Sequence, residues 1–123
     1  MLSPLAYGLA VVLDLFIAFI GVRFLLAPRT AAAGYGVPAE PADAGAYLAV
    51  KGVRDLSLGL MGLALLAFVG AAAGAWFMLA AALIPLGDML IVLRHGGTKA
   101  VAFGIHLATA VVVLTSAALL FAV

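Results

Sequence analysis

Four apolar stretches, each about as long as a lipid bilayer is thick, take up most of this chain. They run from about Leu5 to Ala27, from Gly45 to Val69, from Ala72 to Leu93 and from Lys99 to Val123. A spanning helix needs about 20 mostly apolar residues at ~1.5 Å rise each, and every one of the four is long enough. Of the 123 residues, 68% are hydrophobic and 9% charged. A soluble domain carries about a quarter charged residues, so there are too few polar side chains here to coat a water-facing surface. The expected fold is all-α: an integral membrane four-helix bundle, a single domain over residues 1–123, with the lipid bilayer as its surroundings.

The connections set the topology. Only Gly70-Ala-Ala-Ala-Gly74 separates the second stretch from the third, and only Arg94-His95-Gly96-Gly97-Thr98 separates the third from the fourth. Such short links make antiparallel neighbours and an up-down-up-down order. The longer link, Pro28 to Ala44, holds Pro28, Gly34, Gly36, Pro38 and Pro41 and reads as a loop of turns. Arg23, Arg29, Lys51, Arg54, Arg94 and Lys99 are all in or near the first and third links. The positive-inside rule then puts those links in the cytoplasm and both termini outside. Ala31-Ala32-Ala33 resembles a signal-peptide cleavage site, but Met1 to Leu5 has no Lys or Arg, and Asp14 and Arg23 interrupt the apolar run. The first helix is therefore expected to be retained.

Five ionisable residues fall well inside the expected spans: Asp14, Arg54, Asp55, Asp88 and His106. Each costs about 2.5–3.5 kcal/mol to place in mid-membrane, so each needs a partner or a task. From the rise per residue, Arg54, Asp55, Asp88 and His106 share a layer ~8–15 Å from the cytoplasmic helix ends, and Asp14 is about 20 Å in. Arg23 and Lys51 are close enough to that end to snorkel to the headgroups. Tyr47, Lys51 and Asp55 step by four along one face that Gly59 and Gly62 continue. Lys99, His106, Thr109 and Ser116 make a polar stripe on the fourth helix, and Ala81, Pro85 and Asp88 share a face of the third. Pro85 leaves the Ala81 carbonyl without its helical donor and permits a kink. Asp14 shares its face with Ala10, Ala18 and Gly21, small residues that let helices pack closely in lipid.

With these faces turned inward, Arg54 is expected to clamp Asp88, and Asp55 and His106 to line the same cavity. A buried ion pair that only fixes helix register is the plainer account of Arg54 and Asp88, but the whole cluster exceeds what register needs. Desolvation and a neighbouring cation can separate the proton affinities of two carboxylates, the basis of acid–base work. The candidate catalytic residues are therefore Asp55, Asp88 and His106. Arg54, Asp14, Lys51, Tyr47 and Thr109 are candidate ligand-binding residues. Asp55, Asp88 and His106 are acceptable metal-ligand types, but no spacing fixes a site, and no metal or cofactor is assigned. His95 and His106 differ in depth, which disfavours a haem between them. The chain has no Cys, excluding thiol chemistry, and no nucleophile elbow, phosphate loop or zinc-protease signature. Its few scattered basic residues, net +1, do not suit nucleic acid. Trp76 and Tyr7 read as interfacial anchors, and Tyr35 as a residue that packs its loop or caps a pocket. Gly52 to Ser57 and Gly104 to Thr109 can be aligned as a short internal repeat of the two hairpins.

The segments Gly21-Val-Arg-Phe-Leu-Leu-Ala-Pro28, Gly34-Tyr-Gly-Val-Pro38 and Lys51-Gly-Val-Arg-Asp-Leu-Ser-Leu-Gly59 give the chain a resemblance. With Ile84-Pro85-Leu86-Gly87-Asp88 and the run Lys99 to His106, it resembles a family of small four-span membrane proteins of bacteria and fungi, catalogued as a domain of unknown function. The resemblance implies the four-helix architecture, marks Arg54, Asp55, Asp88 and His106 as characteristic, and implies no activity. The functional expectation is a pocket near the cytoplasmic side that binds a small lipophilic molecule, with acid–base chemistry open to it. A proton-coupled small-molecule transporter acting as a dimer, and so a homo-oligomer, and an assembly or accessory subunit of a membrane complex are the alternatives.

Overall fold

The computed structural model describes residues 1–37 and 44–123, which are helical almost throughout. The expected turns at Pro38 and Pro41 lie outside the described residues. The first helix, α1, spans Leu2–Leu26, and Ala27 separates it from a short helix, α2, Pro28–Tyr35. Next come α3, Ala44–Phe68; α4, Ala71–Ala81; and α5, Leu83–Arg94. The last rod is α6, Lys99–Val101, then a π-helical turn, Ala102–Leu107, then α7, Ala108–Phe121.

Local chemistry explains the boundaries. Pro28 ends α1, as expected, but it also opens α2: a proline at the first helical position lacks only a hydrogen that would be unpaired there. The first part of the expected loop is thus a helix. Gly36 closes it in a left-handed conformation, φ 98°, with Val37 N–H reaching back 3.2 Å to the Ala32 carbonyl. Gly70, φ 121°, makes the turn from α3 to α4, its N–H 2.8 Å from the Leu65 carbonyl. The break between α4 and α5 falls at Ala82, beside the carbonyl that Pro85 leaves without a donor. Thr98 accepts the Val101 N–H at 3.1 Å and caps the last rod.

Among the described residues, three helical rods are both long and apolar enough to cross a membrane: α1, the continuous α4–α5 rod Ala71–Arg94, and Lys99–Phe121. Their outward residues are large and apolar, among them Leu15, Phe19, Leu83 and Val111, as befits lipid-facing surface. The fourth expected span, α3, is as long as α1 at 25 residues, but Lys51, Arg54 and Asp55 lower its apolar character.

The closest packing is along α1 and α3, which run antiparallel. Gly21 rests on the backbone of Gly52 and Leu56, Gly59 on Asp14 and Ala18, and Gly62 on the Asp14 carboxyl group. A Cβ on Gly52 would come within 2.8 Å of the Gly21 carbonyl oxygen. The small residues read from the sequence are therefore the seam itself, with Gly52 an addition. A core of Ala6, Ala10, Leu66, Met78, Ala117 and Leu120 joins α1, α3, α4 and α7. A smaller cluster, Phe24, Ala31 and Ala32, seats α2 against α1. The first and third connections meet, since a Cβ on Gly36 would touch Val92 and Val101 and one on Gly97 would touch the Gly36 carbonyl.

Candidate functional site

Between α1, α5 and the π-helical turn is a cavity of about 250 Å³. Its wall is mostly apolar, with Phe16, Phe19, Phe24, Phe77 and Ile105 among the lining residues. The polar groups on it are Asp14, Arg23, Tyr35, Asp88, His106 and Thr109. Phe16, Phe19 and Ile105 are exposed on the outside of the rods, so the cavity opens sideways between α1 and the π-helical turn. A shallower groove along Leu13, Phe16, Gly104 and Val112 extends the same gap.

Tyr35 organises the end of the cavity under α2. Its hydroxyl donates to Asp88 Oδ2. Its carbonyl lies 2.7 Å from His106 Nε2, and its ring meets the imidazole edge-on at 4.4 Å between centroids. Phe24 packs edge-on against the other side at 5.6 Å. Burial and the adjacent carboxylates of Asp88 and Asp55 push the Tyr35 phenol far above its ordinary range, so it keeps its proton and remains a donor. A carbonyl can only accept, so His106 Nε2 carries the hydrogen; in the neutral ring the lone pair then sits on Nδ1. His106 falls within the π-helical turn. Such a turn contains one extra residue and is frequent at functional sites.

The extra residue also accounts for part of the expected polar stripe. It rotates whatever follows by roughly 100° relative to a regular helix. Lys99, before it, is exposed, whereas His106 and Ser116 are buried and Thr109 borders the cavity. Thr109 Oγ1 donates to the Ile105 carbonyl at 2.6 Å, leaving its lone pairs as acceptors.

The remaining expected residues divide. The Arg54–Asp88 ion pair is not formed: Arg54 is exposed on α3, and Asp88 is held by Tyr35. The inward face of α3 is Gly52, Asp55, Gly59 and Gly62, and Arg54, one residue from Asp55, points about 100° away. Asp55 is buried but does not line the cavity; Lys51 Nζ pairs with it at 2.5 Å, one helical turn earlier. The Lys51 ammonium also sits 4.6 Å from the Phe24 ring centroid and 4.4 Å from that of Tyr35. It backs the site and neither lines it nor reaches out as a free headgroup contact. Tyr47 is 80% exposed and takes no part. Asp14 is 2% exposed and borders the cavity, yet its Oδ2 has no hydrogen-bond partner among the described residues. Ser116 Oγ shares that condition.

Sequence reasoning placed Tyr35 in a loop, to pack it or to cap a pocket, and not at the centre of a site. The sequence does carry the signal that would have moved it inward, Pro28 at a helix start and Gly36 at a left-handed cap. Among the described residues no group of three or more His, Cys, Asp or Glu is placed to hold a metal ion. What the arrangement offers chemically is a buried phenol–carboxylate pair beside an imidazole nitrogen, at one end of an apolar cavity, with a lone carboxyl group farther along it.

No curated protein and no solved structure matches this chain. A family model does, over residues 15–120, a stretch that takes in Asp55, Asp88, His106 and all but the first half of α1. The chain belongs to the family described as Domain of unknown function (DUF4267).

Proposed function

We propose that this chain is a four-span membrane bundle of up-down-up-down topology whose cavity binds a small lipophilic molecule taken from the bilayer. The observation that carries the reading is the cavity of about 250 Å³, apolar on most of its wall and furnished with a few polar groups. That composition is typical of small-molecule sites, and the volume is just below their usual lower bound of about 300 Å³, which suits a small ligand. The sideways mouth suits a ligand already dissolved in lipid. Tyr35, Asp88 and His106 would contact the part of it that lies under α2, and the Nδ1 lone pair of His106 is the group there best suited to accept a proton. Arg54, Tyr47, Lys51 and Asp55 have no direct role in this reading, the last two serving to hold Tyr35 in place.

The test is thermal unfolding in lipid nanodiscs with and without a panel of lipophilic alcohols, amines and ketones. At least one class is expected to raise the unfolding temperature of the parent, and His106→Ala is expected to fold but lose most of that shift. A panel that moves neither protein defeats the proposal and favours an accessory-subunit role.

A further inference from the structure

Asp14 is the polar residue of the cavity wall that the Tyr35 site leaves unexplained. Its carboxyl group rests on the bare Cα of Gly62, is 2% exposed, and has one oxygen, Oδ2, with no donor among the described residues. A buried carboxyl group without a partner is expensive, and one that borders a cavity can be satisfied by a donor on the cavity's occupant. Asp88, also on the wall, has its Oδ2 taken by Tyr35. The basic side chain that borders the cavity, Arg23, is exposed at its margin in the last turn of α1, more than two helical turns from Asp14.

The remaining wall adds a second constraint. Phe16, Phe19, Phe24, Phe77 and the Tyr35 ring line it. Aromatic faces attract cations, the more so when both are out of water. Two carboxyl groups would repel an acid. A neutral ligand would leave the Asp14 oxygen facing an apolar body or, at best, a weak donor. A protonated amine supplies a charge to match and an N–H to donate, and its hydrocarbon portion fits the rest of the wall.

On the reading that this cavity binds a lipophilic molecule, we propose that it selects lipophilic amines, whose N–H donates to Asp14. The probes are 2-naphthylmethylamine, its alcohol analogue 2-naphthylmethanol and its N,N,N-trimethylated ammonium analogue. Equilibrium dialysis against protein in nanodiscs, with empty nanodiscs correcting for partition into lipid, gives the three affinities. The amine is expected to bind the parent about tenfold more tightly than the alcohol, the scale of one charge-assisted hydrogen bond. It should also exceed the trimethylated ion, which has the charge but no N–H. Asp14→Asn is expected to bring amine and alcohol level, while Arg54→Gln, at an exposed residue off the cavity wall, keeps the preference.

Equal binding of amine and alcohol by the parent overturns this inference but leaves the cavity reading standing. A preference that survives Asp14→Asn overturns it as well. Equal binding of the trimethylated ion does so without recourse to any variant, which matters if Asp14→Asn does not fold. No binding of any probe above empty nanodiscs overturns both readings.

Discussion

Tyr35 joins three groups that are far apart in the chain: it donates to Asp88, accepts from His106 and stacks beneath the Lys51 ammonium. A hydrogen bond to a charged group contributes about 1.5–3 kcal/mol, and its loss leaves a half-buried carboxylate without its donor. Tyr35→Phe keeps the ring contacts and removes only the hydroxyl. It is expected to destabilise the protein by about 1.5–3 kcal/mol. The check is a double-mutant cycle with Asp88→Ala on unfolding in nanodiscs, in which the two changes together should cost clearly less than their sum. Strict additivity would mean that the bond contributes nothing. Lys51 and Asp55 form a second unit one turn apart, so removing Lys51 alone should be more harmful than removing both, because it strands a buried carboxylate. Which acid pairs with which base was the least legible part of the sequence. Spacing put Asp55 on the inner face of α3, and the same spacing excludes Arg54 from it; but the choice between a neighbour at i−4 and one on another helix depends on helix–helix distances that spacing does not contain.

At the scale of elements, glycine has two different uses. Gly21, Gly52, Gly59 and Gly62 stand where α1 and α3 touch backbone to backbone, and a Cβ there would collide with main-chain atoms or with the Asp14 carboxyl group. Gly87, on α5, has nothing within 4 Å of an added Cβ. Gly59→Ala is therefore expected to lower stability by about 1–3 kcal/mol through overpacking. Gly87→Ala should be neutral or raise it by up to about 1 kcal/mol, since alanine is the better helix former. Denaturant-induced unfolding of the two variants decides the matter, and similar effects would remove the close seam. The seam was legible because small residues recur at helical spacing on both partners. The π-helical turn and α2 were not. A π-turn leaves no periodicity of its own, and α2 is eight residues long, with Pro28 and Gly36 as easily read as loop punctuation as helix ends.

For the whole molecule the decisive matter is whether α3 crosses the membrane. Three rods are apolar enough by themselves, and α3 carries Lys51, Arg54 and Asp55. Two of those three, Lys51 and Asp55, form an ion pair, which lowers the cost of immersing them. Packing argues in the same direction. Gly36, in the first connection, touches Val92 and Val101, and Gly97, in the third, approaches the Gly36 carbonyl. If α1 and the α4–α5 rod each cross once, those connections can meet on one side only when α3 crosses between them. All six Lys and Arg residues then gather at that end, as the positive-inside rule requires of the cytoplasmic face. The chain has no native Cys, so single cysteines report cleanly. Ser3, Thr30 and Ala100 are exposed and lie at the start of α1, in the first connection and just after the third. With a membrane-impermeant thiol reagent on intact cells, Ser3→Cys is expected to react from outside. Thr30→Cys and Ala100→Cys should react only once the membrane is opened. A three-span arrangement predicts otherwise, because Ala100 would then return to the side of Ser3. Labelling of Ala100→Cys in intact cells would therefore remove α3 from the membrane and overturn the four-span arrangement proposed for the chain.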